Sequence, residues 1–290
     1  MSSPIHYTNC PCCDSKNFSK LLSAKDYTVS HEEFDVLVCS NCTIAFTQNV
    51  ATQDAIGKYY QSQSYISHSD TKDGFISKVY HSVRNITLVS KLKLVQKVTV
   101  GAGTGAFTNT MMQAGWNVTA LEPDDIARSN AKSKYGLDLK SPSELFNQTA
   151  ESFDAITLWH VLEHIHTLKD YLKQFQAVLK RDGRLVIAVP NYTSYDASYY
   201  KQFWAGYDVP RHLYHFSPAS MDVLAKQFGF TIEATKPMWF DSVYVSMLSE
   251  QYKTGKQNLV KAFFVGMMSN LKALFNSKKC SSVIYILKKA

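Results

Sequence analysis

Apolar runs alternate with helical patterns between residues 97 and 190, and this order constrains the fold more than any other feature of the chain. KVTV, WNVTALEP, FDAITLWH and RLVIAVPN have the character of strands, with FTNTMMQAG, DIARSNAKSKYG and LKDYLKQFQAVLK as the intervening helices. Such alternation predicts an α/β fold with a parallel sheet covered on both faces. FTIEATKPM and SSVIYILKK are the predicted sixth and seventh strands, separated by a helical insertion at about 241–278.

A glycine-rich turn follows the first predicted strand. Gly101, Gly103 and Gly105 alternate with small residues before a helix begins near Phe107. Residues without a β-carbon let the backbone turn tightly and come close to a ligand. Similar turns also occur in nucleotide oxidoreductases and in purely structural loops, so the turn alone does not identify the ligand.

A carboxylate follows the next strand, at the same edge of the predicted sheet. WNVTALEP ends in Glu122 and Pro123, about 20 residues beyond the turn. A carboxylate at this position can accept hydrogen bonds from the ribose hydroxyls of a bound nucleoside. The other interpretation is a charge that favours the N-terminus of the following helix. With the glycine turn upstream, we predict that Glu122 is a second cofactor anchor.

The segment FDAITLWHVLEHIHTLKDYLKQFQAVLKRDGRLVIAVPN resembles class I S-adenosylmethionine-dependent methyltransferases, in which strand four ends in L-E-H and strand five ends in P-N. The resemblance covers residues from about 95 to 235 and implies a Rossmann-like, seven-stranded sheet. It implies that the glycine turn contacts the methionine part of the cofactor and that Glu122 holds its ribose. The cofactor-binding residues implied in this way are Gly101, Ala102, Gly103, Gly105, Glu122, Pro123, Trp159 and His160. Thr99 replaces the family's usual acidic residue, so backbone carbonyls would bind the methionine ammonium.

Two C-x-x-C pairs near the N-terminus are separated by 25 residues. Four thiolates that leave no open coordination position are typical of structural Zn²⁺. The predicted ligands are Cys10, Cys13, Cys39 and Cys42, and the neighbouring Cys12 makes the register of the first pair ambiguous. We therefore predict a small zinc-ribbon-like module at 1–48, a helical connector at 49–94 and a methyltransferase domain at 95–290.

Aromatic and histidine side chains are concentrated after the fifth strand, in FWAGYDVPRHLYHFS. A histidine there can take a proton from a hydroxyl or an acidic carbon, and we predict His212 as this base and His215 as a further catalytic candidate. Both could instead be hydrogen-bonded packing residues. H-L-Y-H-F-S resembles a stretch of deoxysugar C-methyltransferases, which also carry an N-terminal zinc module, and the resemblance implies a catalytic His212. Arg211 replaces an acidic residue of those enzymes, which argues against methylation of carbon.

The residues after the fourth strand allow a second interpretation. Glu163 and His164, with His160 or His215, could hold a divalent metal near the acceptor. Some methyltransferases of this class use E-x-x-E-H here, but His160 replaces the first Glu. The favoured interpretation is that Glu163 and His164 shape the pocket, and His164 is the third predicted catalytic residue.

Lysines are concentrated at the C-terminal end of the chain. The net charge is +7, and the segment from Gln251 to Ala290 contains eight Lys and no Asp or Glu. A basic surface of this kind favours an anionic substrate, nucleic acid or lipid headgroups, although a solvated surface looks the same. Within it, NLVKAFFVGMMSNLKALF is typical of a membrane-surface helix, or of a core or dimer-forming helix.

The leading hypothesis is methylation of a small-molecule acceptor, such as a sugar or a glycan- or lipid-linked precursor. One alternative is an RNA methyltransferase that grips RNA through the zinc module and the basic C-terminus. Another is a scaffold whose cofactor site is degenerate at Thr99. The sequence shows no transmembrane run and no export signal, so a cytoplasmic protein is expected.

Overall fold

The computed structural model describes residues 3–61 and 105–290, and its strands form two four-stranded sheets. Several sequence predictions lie outside the described residues. These are the strand KVTV, the positions Thr99, Gly101, Ala102 and Gly103, and the connector beyond residue 61.

The first sheet contains the N-terminal strands β1 (Phe18–Lys25), β2 (Glu33–Cys39) and β3 (Ala45–Thr47). These strands are antiparallel, and β6 (Tyr214–His215) completes the sheet by pairing with β3. The predicted boundary at residue 48 thus falls at the end of β3 but not at the edge of this sheet. Backbone hydrogen bonds between β3 and β6 thus join the N-terminal strands to FWAGYDVPRHLYHFS, which we call the histidine segment.

The second sheet contains β4 (Phe153–Trp159), β5 (Leu179–Pro190), β8 (Ser282–Lys289) and β7 (Phe230–Pro237), in that spatial order. β4 and β5 are parallel, whereas β8 is antiparallel to both of its neighbours. A parallel bridge between Leu121 and Lys140 marks the end of the segment WNVTALEP. The architecture confirms the predicted α/β class and the last two predicted strands.

Helices connect and cover these strands. The described residues contain α1 (Ala106–Gln113), α2 (Asp125–Tyr135), α3 (Leu168–Val178), α4 (Tyr195–Tyr200), α5 (Pro218–Gln227), α6 (Trp239–Thr254) and α7 (Leu259–Phe275). Short 3-10 helices lie at Ile56–Tyr60, Pro142–Asn147, Leu162–His164, Lys201–Phe203, Ala205–Tyr207 and Ser277–Lys279. The predicted insertion between the last two strands is the pair α6 and α7. No helix in the described ranges is long and apolar enough to cross a membrane.

Apolar spacing explains the local structure around the second sheet. In α3, Leu168, Leu172 and Phe175 recur at helical intervals and form a buried stripe. β5 ends in the continuous apolar run LVIAVP, all of it buried, as expected for a strand covered on both faces. At the start of α5, the Ser217 and Ser220 side chains form a reciprocal capping box with the backbone, which fixes where the helix begins.

One hydrophobic core extends from the N-terminal region predicted as the zinc module, which we call the cysteine module, into the second sheet. Phe46 on β3, Leu213 and Tyr214 beside it, and Ile187 on β5 belong to the same buried cluster as Cys10. Burying a side chain of the size of Phe46 contributes about 1.5–3 kcal/mol. The module is therefore packed as part of the larger fold.

Candidate functional site

The carboxyl ends of β4 and β5 carry the polar residues of the L-E-H segment. β4 ends at Trp159, and the backbone N–H of His160 donates to the carbonyl of Ala188 on β5 at 3.0 Å. His160 has φ +54°, a left-handed conformation that is strained for a residue with a β-carbon and is frequent at functional sites. This turn leads into the 3-10 helix that carries Glu163 and His164 at the edge of the sheet.

The described end of the glycine turn lies beside the same edge. Gly105 is the N-cap of α1 with φ +80°, and a β-carbon there would lie 2.9 Å from Cβ of Ala131 on α2. Glycine is therefore required both for the backbone conformation and for the close approach of the two helices. In the first turn of α1, Phe107 meets Trp159 edge to face with 5.9 Å between ring centroids. Gly105, the start of α1 and the end of β4 thus lie side by side.

Glu122 occupies the position after the Leu121 bridge. Its backbone N–H donates to the carbonyl of Lys140 at 2.9 Å, and its carboxylate accepts from the N–H of Asp124 at 3.1 Å. Asp124 itself caps α2 by accepting from the N–H of Ala127. The Glu122 carboxylate thus lies at the N-terminus of α2, which fits the helix-charge interpretation, and its role as a ribose anchor stays a prediction.

His160 is held between two carboxylates. Its Nδ1 lies 3.2 Å from Oε1 of Glu163 and its Nε2 lies 2.8 Å from Oδ2 of Asp241 on α6. Burial opposes the charged form, but the carboxylates outweigh it and raise the pKa of His160 to about 10. His160 is therefore an imidazolium that donates to both partners.

Glu163, His164 and His212 form the polar centre of the site, with one ligand atom from each within 4.8 Å of the others. Nδ1 of His164 lies 3.0 Å from the Arg211 carbonyl, and Nδ1 of His212 lies 3.0 Å from the Gly206 carbonyl. A carbonyl can only accept, so each Nδ1 carries the proton and each Nε2 keeps its lone pair.

The charges around this centre suit proton transfer. Burial, reinforced by the neighbouring His212, lowers the pKa of His164 to about 4, so this imidazole is neutral near pH 7. Oε2 of Glu163 is buried and has no hydrogen-bond partner among the described residues. Although burial opposes ionisation, His160 keeps the pKa of Glu163 below its ordinary value. Two imidazole lone pairs and a carboxylate oxygen can accept a proton or bind a divalent cation.

His215, the other predicted catalytic histidine, lies on β6 and is buried. The hydroxyl of Thr47 donates to the His212 carbonyl at 2.7 Å, so Nε2 of His215 must donate to this hydroxyl at 3.0 Å. Burial lowers the pKa of His215 well below its usual range. These contacts fit the packing role that the sequence left open, and a catalytic role for His215 stays a prediction.

Arg211 is a buried connection between the two halves of the chain. Its guanidinium donates to both oxygens of Asp208, to Oδ1 of Asp26 and to the carbonyl of Tyr59. Arg211 and Asp26 are almost fully buried. Although burial opposes ionisation of Asp26, hydrogen bonds from Ser30 and Arg211 hold its pKa well below the ordinary value. This arginine thus ties the N-terminal segment to the histidine segment.

The four predicted zinc ligands come together at the end of β2, beside the first sheet. Sγ of Cys10 lies 3.6 Å from Sγ of Cys42, Sγ of Cys13 lies 3.6 Å from Sγ of Cys39, and all four sulfurs lie within 4.8 Å of one another. Tetrahedral Zn²⁺ with bonds of about 2.3 Å separates its sulfurs by about 3.8 Å. Cys12 faces Gln227 on α5 instead, which resolves the register of the first pair.

Three residues at the site were not predicted from the sequence. Asp241 comes from the insertion, and no local pattern links it to His160. Tyr60, whose hydroxyl lies 3.0 Å from Nδ1 of His164, comes from the N-terminal part of the chain. Asp208 lies four residues before His212, and this spacing was a usable signal, since its carboxylate is 3.9 Å from Nε2 of that histidine.

Comparison with known proteins finds similarity over the middle part of the chain. Residues 98–235 match a family model described as a methyltransferase domain. Over 105 residues the chain is 38% identical to the ubiquinone biosynthesis O-methyltransferase of Actinobacillus pleuropneumoniae, covering 32% of this chain and 45% of that protein. Over 133 residues it is 28% identical to the demethylmenaquinone methyltransferase of Tropheryma whipplei, covering 44% and 56%. The chain thus spans only about half the length of these relatives.

Solved structures agree at the level of the fold. A putative sarcosine dimethylglycine methyltransferase from Galdieria sulphuraria superposes with a TM-score of 0.50 at 14% identity, covering 76% of this chain and 89% of that one. At this identity the likeness concerns the fold alone. The cysteine module and helices α6 and α7 lie outside the segment that matches the family model.

Proposed function

We propose that the protein transfers a methyl group from S-adenosylmethionine to a small-molecule acceptor, because residues 98–235 match a family model described as a methyltransferase domain. The observation that carries the proposal is the histidine pair at the carboxyl edge of the sheet. His164 and His212 each place one ring nitrogen within 4.8 Å of a carboxylate oxygen of Glu163. An acceptor that loses a proton during methylation needs such a base.

The cofactor is proposed to lie along the glycine turn and the end of β4. The residues assigned to it are Gly101, Ala102, Gly103, Gly105, Glu122, Pro123, Trp159 and His160. The left-handed Gly105, the contact between Phe107 and Trp159, and the position of Glu122 support this assignment. S-adenosylmethionine supplies a methyl group that its sulfonium already activates. The residues of this chain therefore need only to align the reactants and exclude water.

His212 is the proposed general base. The Gly206 carbonyl holds its Nδ1 proton, so Nε2 is the atom that would receive the acceptor's proton. The carboxylate of Asp208 lies 3.9 Å from this nitrogen and would stabilise the imidazolium that forms. His164 stays neutral and would accept a hydrogen bond that orients the acceptor hydroxyl.

For the acceptor itself, we propose a sugar or a glycan- or lipid-linked precursor. The H-L-Y-H-F-S resemblance supports a sugar, and the relatives, named for ubiquinone and demethylmenaquinone, support a small molecule. Several of the lysines that could contact RNA lie on or beside α7, whereas the histidines lie at the end of β4 and before β6. A small molecule therefore fits the site better than a nucleic acid.

A structural Zn²⁺ ion is proposed at Cys10, Cys13, Cys39 and Cys42. Four thiolates would complete a tetrahedral shell and leave no position for a substrate. The sulfur separations of 3.6 Å are close to those that a bound zinc would impose. We assign this ion to folding rather than to the reaction.

Two variants separate cofactor binding from turnover. Glu122→Ala should weaken S-adenosylmethionine binding by about tenfold or more, because a charged acceptor of ribose hydrogen bonds is lost. His212→Ala should bind the cofactor normally but lose about 10²–10⁴ in turnover. Calorimetry measures the affinity, and transfer of labelled methyl into small molecules from a cell extract measures turnover.

Glu33→Ala, which removes an exposed carboxylate on β2, is the matched control and should change neither quantity. Failure of the wild-type protein to bind S-adenosylmethionine would refute the proposed function. Label appearing in RNA rather than in small molecules would refute the acceptor class. Full turnover by His212→Ala would remove the proposed base.

A further inference from the structure

Helix α7 faces the protein with its small and polar residues and faces solvent with its large apolar ones. Its buried residues are Ala262, Val265, Gly266, Ser269, Asn270 and Ala273. Its exposed residues are Leu259, Val260, Phe263, Phe264, Met267, Met268, Leu271, Lys272, Leu274 and Phe275. Phe264 and Leu274 keep 67% and 68% of their surface exposed. A helix that is stable in water normally has the opposite arrangement.

Specific contacts fix this orientation. A β-carbon on Gly266 would lie 2.7 Å from backbone atoms of Ser242 and Val243, so α7 approaches α6 as closely as two backbones can. Ser269 donates to the buried carboxylate of Asp196 at 2.8 Å, and the Asn270 side chain donates to the Trp239 carbonyl at 2.9 Å. Turning the apolar face inward would break these bonds and collide at Gly266.

The exposed apolar surface extends from α7 onto the start of α6, where Trp239, Phe240 and Tyr244 are also exposed. Large apolar side chains that are exposed together on neighbouring helices mark an interaction site on a folded protein. Aromatic side chains at its edge are typical of helices that lie at the interface between lipid and water.

The positive charge of this region favours an anionic partner. Exposed lysines lie on and beside these two helices at positions Lys253, Lys256, Lys272, Lys278 and Lys279, and no acidic residue occurs from Gln251 to Ala290. Two copies meeting on α7 would bring these lysines together and repel each other. An anionic lipid surface neutralises the lysines while it buries the apolar side chains.

We propose that α7 and the start of α6 dock this protein onto an anionic membrane surface, with the apolar face of α7 inserted among the acyl chains. A helix bound in this way lies along the membrane plane and does not need to span the membrane. It depends on this apolar surface and its lysines, and is independent of the proposed methyl transfer.

The test uses the full chain and sedimentation with vesicles. Vesicles of phosphatidylcholine with about 30% phosphatidylglycerol should retain the protein, and pure phosphatidylcholine should retain much less. Phe264→Glu combined with Leu274→Glu should lower partitioning by about tenfold or more, because two charges would enter the apolar layer. Ile126→Glu replaces an equally exposed apolar residue on α2 and should bind like the wild type.

Three results would overturn the proposal. The first is that the wild type ignores anionic vesicles, and the second is that the double variant binds them as strongly as the wild type. The third is a wild-type dimer in light scattering that the double variant dissociates, because a second copy would then cover the face. Circular dichroism and S-adenosylmethionine affinity of the double variant, both expected to match the wild type, separate loss of docking from loss of folding or of cofactor binding.

Discussion

At the scale of single residues, the charge on His160 depends on a carboxylate far away in sequence. Asp241 and Glu163 raise the pKa of His160 from an ordinary 6.5 to about 10. The folded protein therefore binds this proton more tightly than the unfolded chain does. The resulting stability is fully present below pH 6.5 and is lost as the pH rises through about 10.

Asp241→Asn should remove much of this contribution. We expect a lower free energy of unfolding than the wild type at pH 6, and a difference that shrinks as the pH passes about 10. Urea unfolding at both pH values measures the difference, and NMR titration of the imidazole should show a lower pKa for His160. Asp222→Asn, which breaks an exposed pair with Lys226, should have little effect at either pH. An equal loss at pH 6 and above pH 10 would contradict this account.

At the scale of secondary-structure elements, one buried arginine holds the N-terminal strands against the histidine segment. Arg211→Met should cost about 3–5 kcal/mol in unfolding free energy, because the buried Asp26 would lose its charged partner. Urea unfolding measures this loss. Lys20→Met, which breaks the exposed pair with Asp35, should cost no more than about 1 kcal/mol. Similar losses in the two variants would show that the buried Arg211 pair stabilises the fold no more than an exposed pair does.

The elements also show how far sequence patterns reach. The strands β4, β5 and β8 were predictable because apolar runs bounded by polar turns leave few alternatives, and β7 was predictable because apolar and polar residues alternate along it. The pairing of β3 with β6 was not, since two short strands about 170 residues apart carry no local sign of each other. For α7 the apolar content was visible, but which face packs depends on the close approach at Gly266.

For the candidate site the same limit applies to side chains. The L-E-H segment and the histidine segment were found because each is dense in chemically active residues. Their meeting depends on Leu213, whose N–H donates to the Glu163 carbonyl at 2.8 Å. Which nitrogen of His164 or His212 keeps its lone pair depends on backbone carbonyls that no sequence pattern specifies.

At the scale of the whole molecule, the proposed zinc ion and the histidine site are parts of one structure. The cysteine module ends in β3, β3 pairs with β6, and Thr47 on β3 binds both His212 and His215. In zinc-finger peptides the metal contributes about 10–16 kcal/mol of apparent binding free energy, which acts as folding free energy. Loss of zinc should therefore loosen β6 together with the module.

Cys39→Ser should abolish stoichiometric zinc in native mass spectrometry and accelerate amide exchange in both β3 and β6. Methyl transfer should fall with it, because His212 loses the strand that positions it. Cys12→Ser is the matched control, since Cys12 is equally buried but faces Gln227 outside the sulfur cluster, and it should keep its zinc. If Cys39→Ser lost the metal while β6 amides stayed as protected as in the wild type, the module and the site would be energetically independent.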